Sequence, residues 1–502
     1  MAFGRLGAMG GGFGRLGAGA GGGAAGSDVI PGEANGLGVN FTHAVDAQRV
    51  CVRTAGVDVF SGLDTFFQNG GTTPKLVTNA SGLLEWSPHN LFLNSATPAT
   101  QSVTTIVGAP YTVTVTGTGS LTGSAGAAGV ATSASPLTYV ATTTTSTFTL
   151  AGSLTTIQIN IGRSATAYVA TTAARRFGLA IDVDPVVGRT LLMEGSVTNI
   201  CLYSSDMTQT AWVKTTMTAA LTATDPMGNA NSATTLTATA GNATALQAIT
   251  STSALRITSV YLKSRLGAPT VDLTQDNGST WTTTPITTSW ARYAVPEVTS
   301  ANPTIGIRIV SMNSQVDVAF WQHEVSTIAR VATSPYPTFA VSQGRIADNY
   351  TFLLSTIPAL GSEYSMYCRF AVPNPTVNAV APMALTDGTA NEQSKFLTAT
   401  ATTMRLNVID GGVVQALIVG GAVSANSLYS AAGRVKLNDC ALSTNGAAVV
   451  IDNTATLPTV TEVRFGGSGA NTAASNVMRI AKLGIVPRAW SDAELLAASV
   501  RT

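Results

Sequence analysis

The chain has 502 residues, too many for one hydrophobic core at the ~100–200 residues typical of a domain, so several modules in a row are expected. Only 11% of the residues are charged and the formal net charge is +1, with no run of Lys or Arg, which excludes an electrostatic footprint for nucleic acid or for an anionic lipid surface. Mean hydropathy is positive, yet Thr, Ser, Asn or Gly interrupts every apolar run before the ~18 residues a membrane-spanning helix requires, so no membrane insertion is expected.

Residues 1–26 repeat Phe-Gly-Arg-Leu-Gly-Ala, from Phe3 to Ala8 and from Phe13 to Ala18, and then dissolve into Gly and Ala. Ordering such a segment costs ~1–2 kcal/mol of backbone entropy per residue with no core to offset it. The expectation is an extended Gly-rich arm held by a partner, with Phe3, Leu6, Phe13 and Leu16 as apolar pegs and Arg5 and Arg15 as hydrogen-bonding forks. It lacks the charged start and compact apolar stretch of a secretory signal, so synthesis in the cytoplasm is expected.

Residues 27–88 carry short alternating runs, Arg49-Val-Cys-Val-Arg53 and Val57-Asp-Val-Phe60, and are read as a small β module. Residues 89–175 continue with Tyr111-Thr-Val-Thr-Val-Thr116, Ser146-Thr-Phe-Thr-Leu150 and Thr156-Ile-Gln-Ile-Asn160, strands set around a Gly/Ser/Ala loop at 117–135. Alternating Thr and Val place branched side chains on a pleated surface with one buried face, as an antiparallel sandwich needs. Residues 176–340 repeat the pattern with more aromatics, in Ser259-Val-Tyr-Leu-Lys263, Ile305-Gly-Ile-Arg-Ile-Val310 and Val316-Asp-Val-Ala-Phe-Trp321. Residues 341–502 form the last sandwich, with one helix starting at Ser491 as N-cap, Glu494 completing a capping box, and Leu495 and Leu496 supplying apolar contacts. The fold class is therefore all-β: tandem antiparallel, jelly-roll-like β-sandwich modules behind the arm.

Chemistry is sparse. His43, His89 and His323 fall in different modules and read as surface or loop histidines, so no histidine metal site is expected. Cys51, Cys201, Cys368 and Cys440 show no paired spacing and read as buried free thiols. Carboxylate pairs for glycoside chemistry have no fixed spacing, and Asp272, Asp276, Glu297, Asp317 and Glu324 are the residues from which one could be drawn. Asp410, Asp439 and Asp452-Asn453 are candidate calcium ligands, with turn chemistry as the plain reading, and no cofactor is expected. Gly12-Phe-Gly-Arg-Leu-Gly17 fits a dinucleotide fingerprint only formally, with no strand before it and no helix after it. Aromatic rings stack on sugars: Trp281 in a Thr-rich loop, with Tyr261 and Asp276, is the candidate glycan site, while Trp290 and Trp321 read as core.

Two stretches resemble a text that recurs in fibre and head-spike proteins of tailed bacteriophages. One is Asn90-Leu-Phe-Leu-Asn-Ser95 with Thr100-Gln-Ser-Val103. The other runs from Arg176-Phe177 through Asp182-Val-Asp-Pro-Val-Val-Gly188 and Leu191-Leu-Met-Glu194 to Thr198-Asn199, and introduces Asn199-Ile-Cys-Leu-Tyr-Ser204 and Trp212. Val197 and Gly178 depart from that text, which has a basic and an acidic residue there. The module it introduces is similar to carbohydrate-binding sandwiches. The last module, from Tyr364 through Gly433-Arg-Val-Lys-Leu437 to Pro487-Arg-Ala-Trp-Ser-Asp-Ala-Glu-Leu495, resembles concanavalin- and laminin-G-like sandwiches.

The resemblance implies a structural, non-enzymatic virion surface protein: a tail fibre, spike or head fibre. Its partners would be capsid, portal or collar, or tail proteins, with host-surface polysaccharide as a further ligand. A homo-oligomer is expected, a trimer before a dimer. The rival readings are a polysaccharide depolymerase and a ligand-free decoration or collar protein.

Overall fold

The computed structural model describes residues 33–44, 49–61, 73–267, 269–325, 331–356, 359–375, 380–398, 402–467 and 477–500. The arm and its six pegs and forks, Phe3, Arg5, Leu6, Phe13, Arg15 and Leu16, lie outside the described residues. What is described is built almost entirely of antiparallel sheets, as the alternating Thr and Val pattern requires.

The middle sandwich stacks two five-stranded sheets. One runs Val213–Thr215, Ala243–Ala248, Thr304–Ile309, Val271–Thr274, Thr282–Thr284; the other runs Met217–Ala223, Ala233–Ala238, Gln315–Val325, Ala254–Leu266, Ala291–Ser300. Inward-facing Ile305, Ile307, Ile309, Val316 and Val318 fill the space between them, closed by Trp212 and Trp321 with ring centroids 5.2 Å apart. Trp321 is thus core, as the sequence suggests.

The module before it achieves a core with fewer strands. Pro110–Ser124 and Thr145–Ile161 form one long hairpin that bends on itself, so that Phe148 from the outer half packs edge-on against Tyr139 beside the inner half, at 6.2 Å. The bend falls at Gly117, Gly119 and Gly152, where the two backbones approach so closely that a Cβ on Gly119 would lie 2.2 Å from the Ala151 carbonyl oxygen. The Gly-rich stretch read as a loop is therefore strand over 117–124 and again over Gly129–Ala131. Its glycines answer a steric need inside the hairpin rather than mark an irregular segment.

The C-terminal sandwich pairs a six-stranded sheet with a ten-stranded one. The six-stranded sheet runs Tyr350–Leu353, Glu462–Phe465, Met383–Thr386, Gln393–Thr398, Thr403–Asp410, Val413–Ala422. The larger sheet draws its strands from three parts of the chain. Met478–Val486 pairs with Tyr364–Ala371 on one side, and on the other with Gly36–Asn40, Leu37 lying opposite Ile485, and with Gly188–Met193, Leu191 lying opposite Ile480. Residues 27–88, expected as a module of their own, are divided: Gly36–Asn40, Val50–Thr54 and Val57–Ser61 complete the C-terminal sheet, and Leu76–Thr78 with Leu84–Trp86 forms a hairpin on the middle sandwich. A stretch of about 60 residues buries only about 60% of its unfolded surface and makes a marginal core by itself. Leu37, Val39, Phe41 and Val50 instead share one core with Met366, Phe370, Phe396 and Ile480.

The helix spans Asp492–Ala498 with both capping-box bonds formed, between the Ser491 side chain and the Glu494 main chain and between the Glu494 side chain and the Ser491 main chain. Leu495 is buried against Tyr367 and Trp490, whereas Leu496 faces outward.

Where these units meet, four charged side chains are shut away from solvent. Lys75 Nζ bonds to Asp348 and lies 3.8 Å from Glu194, whose carboxylate also takes Arg345 Nη1 at 2.8 Å and both the main-chain and hydroxyl donors of Ser334 at 2.6 Å. Burial alone would raise the Glu194 carboxyl; Arg345, Lys75 and Ser334 outweigh it and hold it at about 2. Burial raises Asp348 above the ordinary range despite Lys75.

Candidate binding cleft

A cleft of about 420 Å³ opens between the bent-hairpin module and the middle sandwich, within the range of small-molecule sites. One wall is Trp86, at the end of the short strand Leu84–Trp86. Leu76 and Leu84 anchor that hairpin by packing on Ala223, Ala233 and Ala319 of the sandwich. The indole lies against Gly162, where φ is +118° and an added Cβ would stand 2.7 Å from Trp86 Cδ1. Tyr336 meets its ring edge-on at 6.4 Å. Phe339, also on the lining, approaches Gly108 so closely that a Cβ there would stand 3.3 Å from Phe339 Cβ.

The floor is Phe320, held at φ +53° where the strand Gln315–Val325 bulges against Ala254–Leu266. A bulky residue rarely adopts that conformation. It is fixed here by Phe320 N donating to Ser205 Oγ at 3.0 Å and Trp321 N donating to the Ser204 carbonyl at 2.8 Å. Tyr203 and Asn231, also on the lining, take φ of +49° and +53°.

The polar groups come from two turns. Asp206 accepts from Thr208 N at 3.1 Å and from Gln209 Nε2 at 2.7 Å. Asp225 accepts from the main chains of Met227 and Asn229, both at 2.9 Å, and from Asn229 Nδ2 at 3.1 Å. Burial pushes the Asp225 carboxyl up, against the opposing pull of the Asn229 and Met227 bonds. Arg163 stands exposed at the rim. Apolar ring faces with fixed oxygen acceptors at their margin suit a sugar, whose C–H face stacks while its hydroxyls donate.

The sequence-predicted glycan residues do not meet here. Trp281 and Asp276 share one turn at the edge of the other sheet. There the Arg308 guanidinium lies 4.5 Å over the Trp281 ring and bonds to Asp272 at 2.6 Å, while Asp276 accepts from Thr280 N and Thr274 Oγ1, both at 2.9 Å. Tyr261 stands away from that turn, on Ala254–Leu266, edge-on to Phe320 at 6.1 Å, so it braces the cleft floor from behind. Trp290 is half-buried beneath Lys263, 5.0 Å from its ring.

Trp86 lies more than a hundred residues before the aromatic-rich stretch, and Phe339, at the end of that stretch, carries no local pattern that distinguishes it from a core ring. The Asp225-Pro-Met-Gly-Asn229 turn signature was the available signal for the polar side.

Other candidate residues are bound into the framework. Asp272 pairs with Arg308, Asp317 with Lys263 and Arg265, and Glu324 is buried against Thr333 N at 2.8 Å. Asp410 takes the Thr456 hydroxyl at 2.5 Å, Asp439 pairs with Arg434, and Asp452 caps its own turn at Thr454. Among the described residues no group of three or more His, Cys, Asp or Glu could hold a metal ion. All four cysteines are buried and free. His89 and His323 are not surface residues: both are fully buried, His89 Nε2 accepting from Ile161 N at 2.8 Å and His323 Nδ1 lying 2.7 Å from the Thr258 hydroxyl.

No protein-family model matches the chain, and no curated protein matches it. Among solved structures it is similar to the CBM40 module of the Ruminococcus gnavus IT-sialidase bound to α2,3-sialyllactose, at 14% identity over 28% of this chain and 84% of that one, with a TM-score of 0.25. It is also similar to the NanB sialidase from Streptococcus pneumoniae, at 13% identity over 27% of this chain and 24% of that one, TM-score 0.24. A third is the leech intramolecular trans-sialidase, at 14% identity over 28% and 24% of the respective chains, TM-score 0.24.

Proposed function

We propose that this chain is a non-enzymatic, glycan-binding surface protein of a tailed-bacteriophage particle, anchored through residues 1–26 and holding a sugar in the cleft beside Trp86. The observation that carries the glycan part is the cleft itself: aromatic walls at Trp86 and Phe339, a floor held in left-handed backbone at Phe320, and the Asp206 and Asp225 carboxylates at its margin. The virion part rests on the Asn90 and Leu191–Asn199 phrases and on the composition of the arm. Engagement of Asp272 with Arg308, of Asp317 with Lys263 and Arg265, and of Glu324 with Thr333 supports binding over hydrolysis. Host-surface polysaccharide is the ligand class, and a homo-oligomer that follows the particle's symmetry is the assembly.

Two experiments test this reading. Purified full-length chain should retain host-surface polysaccharide without releasing new reducing ends or unsaturated products, and a Trp86→Ala variant with an unchanged unfolding midpoint should bind at least tenfold more weakly; release of products would replace binding with depolymerase activity. Deleting residues 1–26 should abolish incorporation into particles while leaving the sandwiches folded, and particles that still carry the shortened chain would remove the anchoring role.

A further inference from the structure

Two buried asparagines, Asn90 and Asn199, make the same four hydrogen bonds in different modules. Asn90 Nδ2 donates to the carbonyls of Ile157 at 2.9 Å and Val169 at 3.0 Å, and its Oδ1 accepts from Phe92 N and Ile159 N, both at 3.0 Å. Asn199 Nδ2 donates to the carbonyls of Trp321 and Tyr336, both at 2.9 Å, and its Oδ1 accepts from Cys201 N at 3.1 Å and His323 N at 3.0 Å.

The surrounding bonds repeat as well. Gln158 and Gln322, each between two of those strand partners, accept from Val169 N and Tyr336 N, both at 2.8 Å, and donate to the hydroxyls of Thr166 and Thr333, both at 3.0 Å. Gln101 and Gln247 each bond both main-chain groups of the residue three after the asparagine, Leu93 and Leu202. Ser95 and Ser204 each take the main-chain donor of a threonine, Thr171 and Thr338, at 2.9 Å, and that threonine's hydroxyl returns to the carbonyl of Phe92 or Cys201. Asn94 and Tyr203 have the same φ of +49°. The asparagines pair with Arg176 and Gln343, each the fifth residue beyond its threonine.

We infer that residues 89–177 and 198–344 are two copies of one module, and that the cleft is the junction between the head of the second copy and the foot of the first, so that two copies make one binding site. The head is the turn that follows the asparagine together with the residue after the clasp threonine, joined in the second copy by Tyr203 N donating to the Phe339 carbonyl at 2.8 Å. In the second copy it supplies Tyr203, Asp206 and Phe339 to the cleft, while the foot of the first supplies Gly108, Ile161 and Arg163. The matching positions on the head of the first copy are Asn94, Thr97 and Thr172, all exposed, without an aromatic or a carboxylate. The first copy thus serves as a wall. The single-site part of this inference rests on the glycan reading above, whereas the duplication does not.

Hydrogen–deuterium exchange on the full chain tests the duplication without any ligand. Asn90→Ala should speed exchange at least tenfold across 157–171 and leave 321–338 unchanged, and Asn199→Ala should do the reverse. The milder pair Thr171→Val and Thr338→Val should give the same pattern at smaller amplitude if either asparagine variant fails to fold. One clasp opening while its counterpart tolerates the same change would overturn the duplication. With host-surface polysaccharide as probe, Asp206→Ala should weaken binding at least tenfold and Thr97→Ala should not. Equal losses from both would overturn the single site, and no binding by the unaltered chain would remove the glycan reading together with the single site while leaving the duplication to the exchange result.

Discussion

His89 sits between two main-chain partners, with Nδ1 2.8 Å from the Ser87 carbonyl and Nε2 2.8 Å from the Ile161 amide. The carbonyl requires a proton on Nδ1 and the amide requires a lone pair on Nε2, so the ring is neutral in one tautomer. Burial holds His89 at about 4 and, with Arg256 nearby, His323 at about 3, both below the ordinary value of about 6.5. The unfolded chain therefore binds more protons than the folded one from pH 6.5 down to those values. Stability is full above about pH 6.5 and falls as the pH drops through the window, by up to about 1.4 kcal/mol per pH unit for each ring. The raised Asp225, Glu324 and Asp348 carboxyls act in the opposite sense, so the rings are isolated by comparison: between about pH 7.0 and 4.5 the urea midpoint should fall more for the parent than for a His89→Gln, His323→Gln variant, and an equal change in both would contradict the burial of these two rings.

At the scale of elements, local signals were legible and non-local pairings were not. The helix could be read from Ser491 and Glu494 because a capping box lies within one turn of chain. The partner of Gly36–Asn40 is Met478–Val486, and no alternation of Val and Gly within the first strand carries that information. The same limit hid the cleft, whose Trp86 and Phe339 are brought together by module packing, and turned Gly117–Gly119 into an apparent loop. The charge cluster at the module junction is a non-local element of the same kind, joining Lys75, Glu194, Arg345 and Asp348. Replacing Lys75 with Met leaves two buried carboxylates facing Arg345 alone, and breaking such a network from one side costs about 3–5 kcal/mol. The urea midpoint of Lys75→Met at neutral pH should drop accordingly, and the loss should shrink in acid as a carboxyl takes up a proton. A variant as stable as the parent would mean that the cluster does not hold the junction.

For the molecule as a whole, strands near both ends of the described chain lie side by side in one sheet, so the C-terminal sandwich is completed by residues before the other modules. A chain lacking residues 1–61 should therefore lose cooperative unfolding of the C-terminal sandwich, with protease cuts appearing in 364–486, whereas the loss of residues 1–26 alone should leave it intact. Calorimetry of the two truncations separates these outcomes, and a 62–502 chain with an unchanged profile would contradict the shared core. The proposed sugar site is the cleft between the two clasped modules, and not the Trp281 turn. It is tested most directly by titrating host-surface polysaccharide into the full chain, into Trp86→Ala and into Trp281→Ala under one set of conditions. Trp86→Ala should lose at least tenfold in affinity while Trp281→Ala binds as the parent does; affinity kept by Trp86→Ala and lost by Trp281→Ala would contradict sugar binding in the cleft.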